Sequence, residues 1–239
     1  MATAGSSVTL STLVNAIDGI IQDPAYTSTI ISQWCNKAVL AISGGIHMPD
    51  GSISPPLPDL YDYATVATAT TLAYVSLPSD YQRNVVLILD SSGDRISAPS
   101  GGDYYAFNLF LEQVNDKKLA ETGSVYKFAV RGAKLYYQGI PAISETIAVH
   151  YYRRPVDMAL DGDTPDGIPE HLQERLIKHY VCKEIFGEAI EDGQDNTGIA
   201  TKYHTGKFFE DMTELVNFIG IDAGPQYYGD GGFVDRGNL

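Results

Sequence analysis

The stretch Thr146-Ile-Ala-Val-His-Tyr-Tyr152, running on through Arg153-Arg-Pro155 and an acidic turn to Ile168-Pro-Glu170, joins a strand to a helix and decides the fold. Ile147, Val149 and Tyr151 alternate onto one strand face, while Leu172, Leu176, Ile177, Tyr180, Val181 and Ile185 recur at helical spacing. The chain before this junction reads largely as sheet, behind two earlier helices. The chain after it reads as helix and a tail.

Working back toward the start, Leu10, Leu13, Val14, Ile17 and Ile21 form a helical stripe, with Thr9 as cap and Asp23-Pro24 as stop. Thr27 or Ser28 caps a second helix with the stripe Ile31, Trp34, Cys35, Ala38 and Ile42, ended by Gly44-Gly45. Such a hairpin buries only one side, so the helix after Pro169 is its expected partner. Trp34 and Cys35 are expected to pack near residues 180–182. Prolines 49, 55, 56 and 58 mark a boundary that cannot support a regular ladder.

Beyond that boundary, residues 66–77 and 84–89 read as strands, separated by the tight turn Leu77-Pro-Ser-Asp-Tyr-Gln-Arg83 with Tyr81 pointing into the sheet. Asp103 opens a short helix carrying Tyr104, Phe107, Phe110, Leu111 and Val114, and Tyr126 to Tyr137 reads as a hairpin turning at Arg131-Gly132. Ile199, Tyr203, Phe208, Met212, Leu215 and Ile219 mark the last helix. The fold class is therefore α+β: an antiparallel helical bundle with an inserted, mainly antiparallel β-sheet domain and an extended C-terminal tail. The expected divisions are a helical hairpin over 1–46, a Pro-rich linker over 47–65, the β domain with its short helix over 66–157, the closing helices over 158–220 and the Gly/aromatic tail over 221–239.

Composition narrows the function classes. Thirty acidic against sixteen basic residues give a formal net charge of -14, which repels a phosphate backbone. No apolar run nears the roughly 18 residues of a membrane span, and the N-terminus has no secretory pattern, so no membrane contact and no export are expected. Cys35 and Cys182 read as buried thiols of a reducing compartment.

Asp161-Gly-Asp-Thr-Pro-Asp166 has the carboxylates of a calcium loop but the wrong spacing, and reads as an acidic turn favouring the dipole of the helix after it. His47, His150, His171, His179 and His204 lack zinc-site spacing and read as solvated or hydrogen-bonded. No nucleophile elbow, P-loop or dinucleotide fingerprint occurs. Catalytic, cofactor and metal residues are therefore assigned to none. Arg153 and Arg154 either contact a neighbouring subunit or acidic partner through their guanidinium forks, or pair with local carboxylates.

These residues together resemble the head-to-tail adaptor, or connector, family of tailed bacteriophages. The resemblance rests on Leu77-Pro-Ser-Asp-Tyr-Gln-Arg83, on Tyr151-Tyr-Arg-Arg-Pro155 with Asp161 and Asp163, on Ile168-Pro-Glu170, on Gln22-Asp-Pro24 and on Trp34-Cys-Asn-Lys-Ala38. It implies a structural protein without catalysis, a homo-oligomeric ring, commonly a dodecamer, in the virion neck between the portal protein and the tail or nozzle proteins. Such a subunit is made in the host cytoplasm, and packaged DNA passes through the ring without tight binding. The resemblance further implies that the C-terminal segment reaches the portal, with Tyr227, Tyr228 and Phe233 as anchors of a tail too rich in glycine to order alone. A tail or baseplate component with a ligand-binding sheet is the alternative, and an enzyme of unidentified class the third reading.

Overall fold

The computed structural model describes residues 8–96, 103–113, 121–191 and 198–220. Val114, Tyr227, Tyr228 and Phe233 lie outside the described residues, as does the whole tail over 221–239. In chain order the elements are α1 (Leu10–Ile21), α2 (Ser28–Gly44), β1 (Tyr61–Ala67), β2 (Tyr74–Ser76), β3 (Tyr81–Leu89), α3 (Asp103–Gln113), β4 (Lys127–Arg131), β5 (Lys134–Gln138), β6 (Thr146–Arg153), α4 (Glu170–Glu191) and α5 (Ile199–Ile219). The protein is α+β and divides into a helical unit, residues 8–60 with 154–220, and a sheet unit, Tyr61–Arg153.

In the helical unit α4 packs against α1, α2 and α5, so its apolar positions are enclosed on several sides. Leu172, Leu176, Ile177, Val181, Cys182 and Ile185 are buried there. Leu10, Leu13, Val14 and Ile17 of α1, and Ile31, Cys35, Ala38, Val39 and Ile42 of α2, complete the core. Both cysteines are free thiols, each pushed up to about 12 by burial. Trp34 departs from expectation: it is half-buried, with the Lys37 ammonium 4.0 Å from its ring centre, because its position lies at the edge of the stripe defined by Ile31, Cys35 and Ala38. On α5 the expected Ile199 and Tyr203 are exposed, and His204 and Asp211 are buried with Phe208, Met212 and Leu215.

The N-terminus of α1 shows what the acidic turn does. Thr9 and Thr12 form a reciprocal capping box, which leaves the amides of Leu10 and Ser11 to be satisfied elsewhere. They donate to the carbonyl oxygens of Asp163 (2.8 Å) and Asp161 (3.0 Å). The turn therefore caps α1, through its backbone, in addition to preceding α4. Two of its carboxylates accept from nearby backbone amides: Asp163 Oδ2 from Ala159 N at 2.7 Å and Leu160 N at 2.8 Å, and Asp166 Oδ2 from Val156 N at 2.8 Å. The Leu160 and Ala159 amides hold Asp163 below the usual carboxylate range. Asn36 of α2 clasps the same segment, donating to Met158 O at 3.0 Å and accepting from Met158 N at 2.9 Å.

The Pro-rich segment also contributes to this core. Leu57 and Leu60 are buried, a single 3-10 turn runs Pro58–Leu60, and an isolated bridge joins His47 to Ile53. Gly167, with φ +78, lies against Leu60 so closely that a Cβ would come within 2.6 Å of Leu60 Cγ. Both the left-handed backbone and the contact require glycine there.

The sheet unit holds two three-stranded antiparallel sheets where one was expected. Their orders are β1-β6-β3 and β2-β5-β4. The run expected as one strand over 66–77 starts instead at Tyr61 and is broken after Ala67, so that its halves join different sheets. The break is held by the buried Tyr137 hydroxyl, which accepts from Ala69 N at 2.7 Å and lies 3.0 Å from Leu72 O. The two sheets share one core, Ile88, Ile147, Val149 and Tyr151 meeting Phe128, Leu135 and Tyr137. Phe107 and Phe110 of α3 cover Ala129 and Tyr136 on the other side of the second sheet.

Candidate interaction surfaces

Among the described residues of the sheet unit, no element covers the outer face of the first sheet. Antiparallel register sets Tyr61 opposite Tyr152 and Tyr63 opposite His150, and the bulged strand β3 brings Arg83 opposite Tyr152. Asn84, with φ +49, sits in that bulged stretch. Period-two alternation sends Ile147, Val149 and Tyr151 into the core and His150 and Tyr152 outward.

On this face the His150 ring stacks between two tyrosines, its centroid 5.9 Å from Tyr61 and 5.5 Å from Tyr63. The Tyr61 hydroxyl is hydrogen-bonded to His150 Nδ1 at 2.7 Å, and the Tyr152 ring meets Tyr61 edge-on. Tyr61 is 46% and Tyr63 62% exposed. Burial raises the Tyr152 phenol above its ordinary range, with the Tyr61 phenol adding to this and Arg83 opposing it. Sequence reading missed this patch because Tyr61 and Tyr63 fell within the Pro-rich linker over 47–65. The alternation Tyr61-Asp-Tyr-Ala-Thr-Val-Ala67 carried the signal.

Arg153 ends β6, with its Nε 3.8 Å from Asp62 Oδ2, on the core side of the sheet. Arg154 opens the returning segment of the helical unit, 3.6 Å from Asp157 in an exposed pair. Each arginine is thus placed beside a carboxylate of its own unit.

A polar seam separates α4 from α5. His179 Nδ1 and His204 Nδ1 are 2.9 Å apart, so one ring donates and the other accepts, an arrangement that two imidazolium ions cannot make. Phe186 stacks on His204, and Arg175 lies 3.5 Å from the buried Asp211 and 2.8 Å from Glu214. Burial lowers both histidines, His204 to about 4, with Lys178 adding to the effect on each. Burial raises Asp211. Unfolded histidine binds its proton near pH 6.5. The seam's histidine contribution is therefore complete above that pH, falls as pH drops toward 4, and levels off below. The melting temperature is expected to fall over that window, and His204→Gln to flatten the fall; equal pH profiles for the two proteins would show that the pair does not contribute. Asp211 has the opposite sign, which is why the difference between variants, and not the raw profile, isolates the histidines.

Among the described residues no three His, Cys, Asp or Glu side chains are grouped as metal ligands, and no helix is long and apolar enough to cross a membrane. The described residues thus form an α+β protein with a cluster of exposed aromatic rings on one sheet face. The model of the SU10 adaptor protein family matches residues 8–230, across both units. The chain belongs to that family and is a bacteriophage adaptor protein. No curated protein matches the chain.

Proposed function

We propose that this adaptor is the subunit of an oligomeric ring in the virion neck, joining the portal protein to the tail and leaving a channel for DNA. The observation that carries this reading is the family match over residues 8–230, which includes the helical unit and the sheet unit together. The charge of -14 supports it, since a surface that repels phosphate lets duplex pass without being held. Tyr227, Tyr228 and Phe233 are proposed as portal anchors, Arg153 and Arg154 as subunit or partner contacts, and twelve as the copy number. Cryo-electron microscopy of the purified virion tests the reading. A ring of this chain directly below the portal is the expected result; density for the chain at the tail tip or baseplate would overturn it and favour a tail component.

A further inference from the structure

We infer that the aromatic face of the first sheet is a subunit contact, and that its occupant is the helical unit of a second copy of this chain; the inference rests on the ring reading above. Tyr61, Tyr63, His150, Tyr152 and Arg83 form one surface, on which Tyr63 is largely exposed and Tyr61 nearly half exposed. Exposed tyrosine beside arginine is the composition of energetically dominant contact positions. The stacked rings are already ordered against each other and lose little freedom on docking.

Charge selects the occupant. Residues 61–153 contain nine acidic and eight basic side chains, net -1, whereas residues 1–60 and 154–220 together contain eighteen and seven, net -11. Two helical units brought together repel in proportion to the product of their charges, and a sheet unit against a helical unit reduces that product to roughly a tenth. The strand positions that share the face, Tyr61, Tyr63, Thr65 and Ala67 with Thr146, Ala148, His150 and Tyr152, include no carboxylate. Arg83, opposite Tyr152, places a positive charge beside this face, which favours an acidic helical surface over a neutral one. Contact between two unlike surfaces is also the kind that propagates around a ring, where a face meeting itself would stop at a dimer.

The test places p-benzoylphenylalanine at position 63 by codon suppression, incorporates the protein into virions by complementation, and maps photo-crosslinks by mass spectrometry. Covalent dimers joining position 63 to a peptide from residues 8–60 or 154–220 of another copy are expected. Crosslinks only to a different virion protein, only to the sheet unit of another copy, or to nothing would overturn the inference. The same probe at Thr65, exposed on the same face, must give the same partner, which guards against a defect peculiar to position 63. Imaging the same particles separates the two levels: a ring present without these crosslinks removes this contact alone, whereas no ring removes the parent reading as well.

Discussion

Leu176→Ala is expected to lower the stability of the helical unit by about 2–5 kcal/mol, the range for removing a large aliphatic side chain from an enclosed core. Leu176 has no solvent exposure and lies on α4, the helix that packs against α1, α2 and α5. With neighbours on several helices, the space left by the isobutyl group cannot be closed by moving one of them, so cavity and lost transfer energy add. Trp34 provides the readout. It is the protein's one tryptophan and lies on α2, so its fluorescence in a denaturant series follows this unit and not the sheet unit. A shift below about 1 kcal/mol would mean that α4 is not enclosed as described. Tyr180→Ala, at a half-buried position of the same helix, provides the comparison and should have the smaller effect.

Tyr151→Ala is expected to cost the sheet unit about 3–5 kcal/mol, the range for truncating a large aromatic core side chain. Tyr151 is 2% exposed, its ring lies 6.0 Å from Tyr81, and it belongs to the core shared by both sheets. Its hydroxyl donates to Asp80 Oδ1 at 2.6 Å, tying the central strand to the turn before β3. Burial first, and then that carboxylate, raises the phenol well above its ordinary range, so the donor is kept at any pH at which the protein is handled. Tyr151→Phe removes only this bond to a charged acceptor and should cost about 1.5–3 kcal/mol. Hydrogen exchange read on peptides covering residues 81–89 and 146–153 distinguishes the two variants. Unchanged protection of those strands in Tyr151→Ala would show that the ring is not central to the sheet.

Helix positions were legible wherever a local rule had no competitor. Thr9 and Thr27 cap α1 and α2 as their residue types suggest, and the stripes of α1, α2 and α4 are buried except at Ile21, Trp34 and Tyr180, which are half-buried. Strand β6 was legible for the same reason, since Ile147, Val149 and Tyr151 can share a face only in an extended chain. Where side chains of mixed character meet the same periodicity, the reading failed. His204 occupies a buried α5 position beside His179, while the more apolar Ile199 and Tyr203 are exposed. A hydrogen bond across the seam offsets the burial of the imidazole, and that bond requires a partner 25 residues away.

By itself the sequence determined the element types, the junction from strand to helix at 146–170, the α+β class and the concentration of acid outside residues 61–153, because propensity, periodicity and charge are properties of neighbouring residues. Tertiary structure alone decided that the strands form two sheets, that the carbonyls of the acidic turn cap α1 at the far end of the chain, and that Tyr61, Tyr63, His150 and Tyr152 meet on one open face. Each of these depends on which distant backbone groups satisfy one another, and hydrogen-bond pairing between remote segments is settled only when the whole core closes.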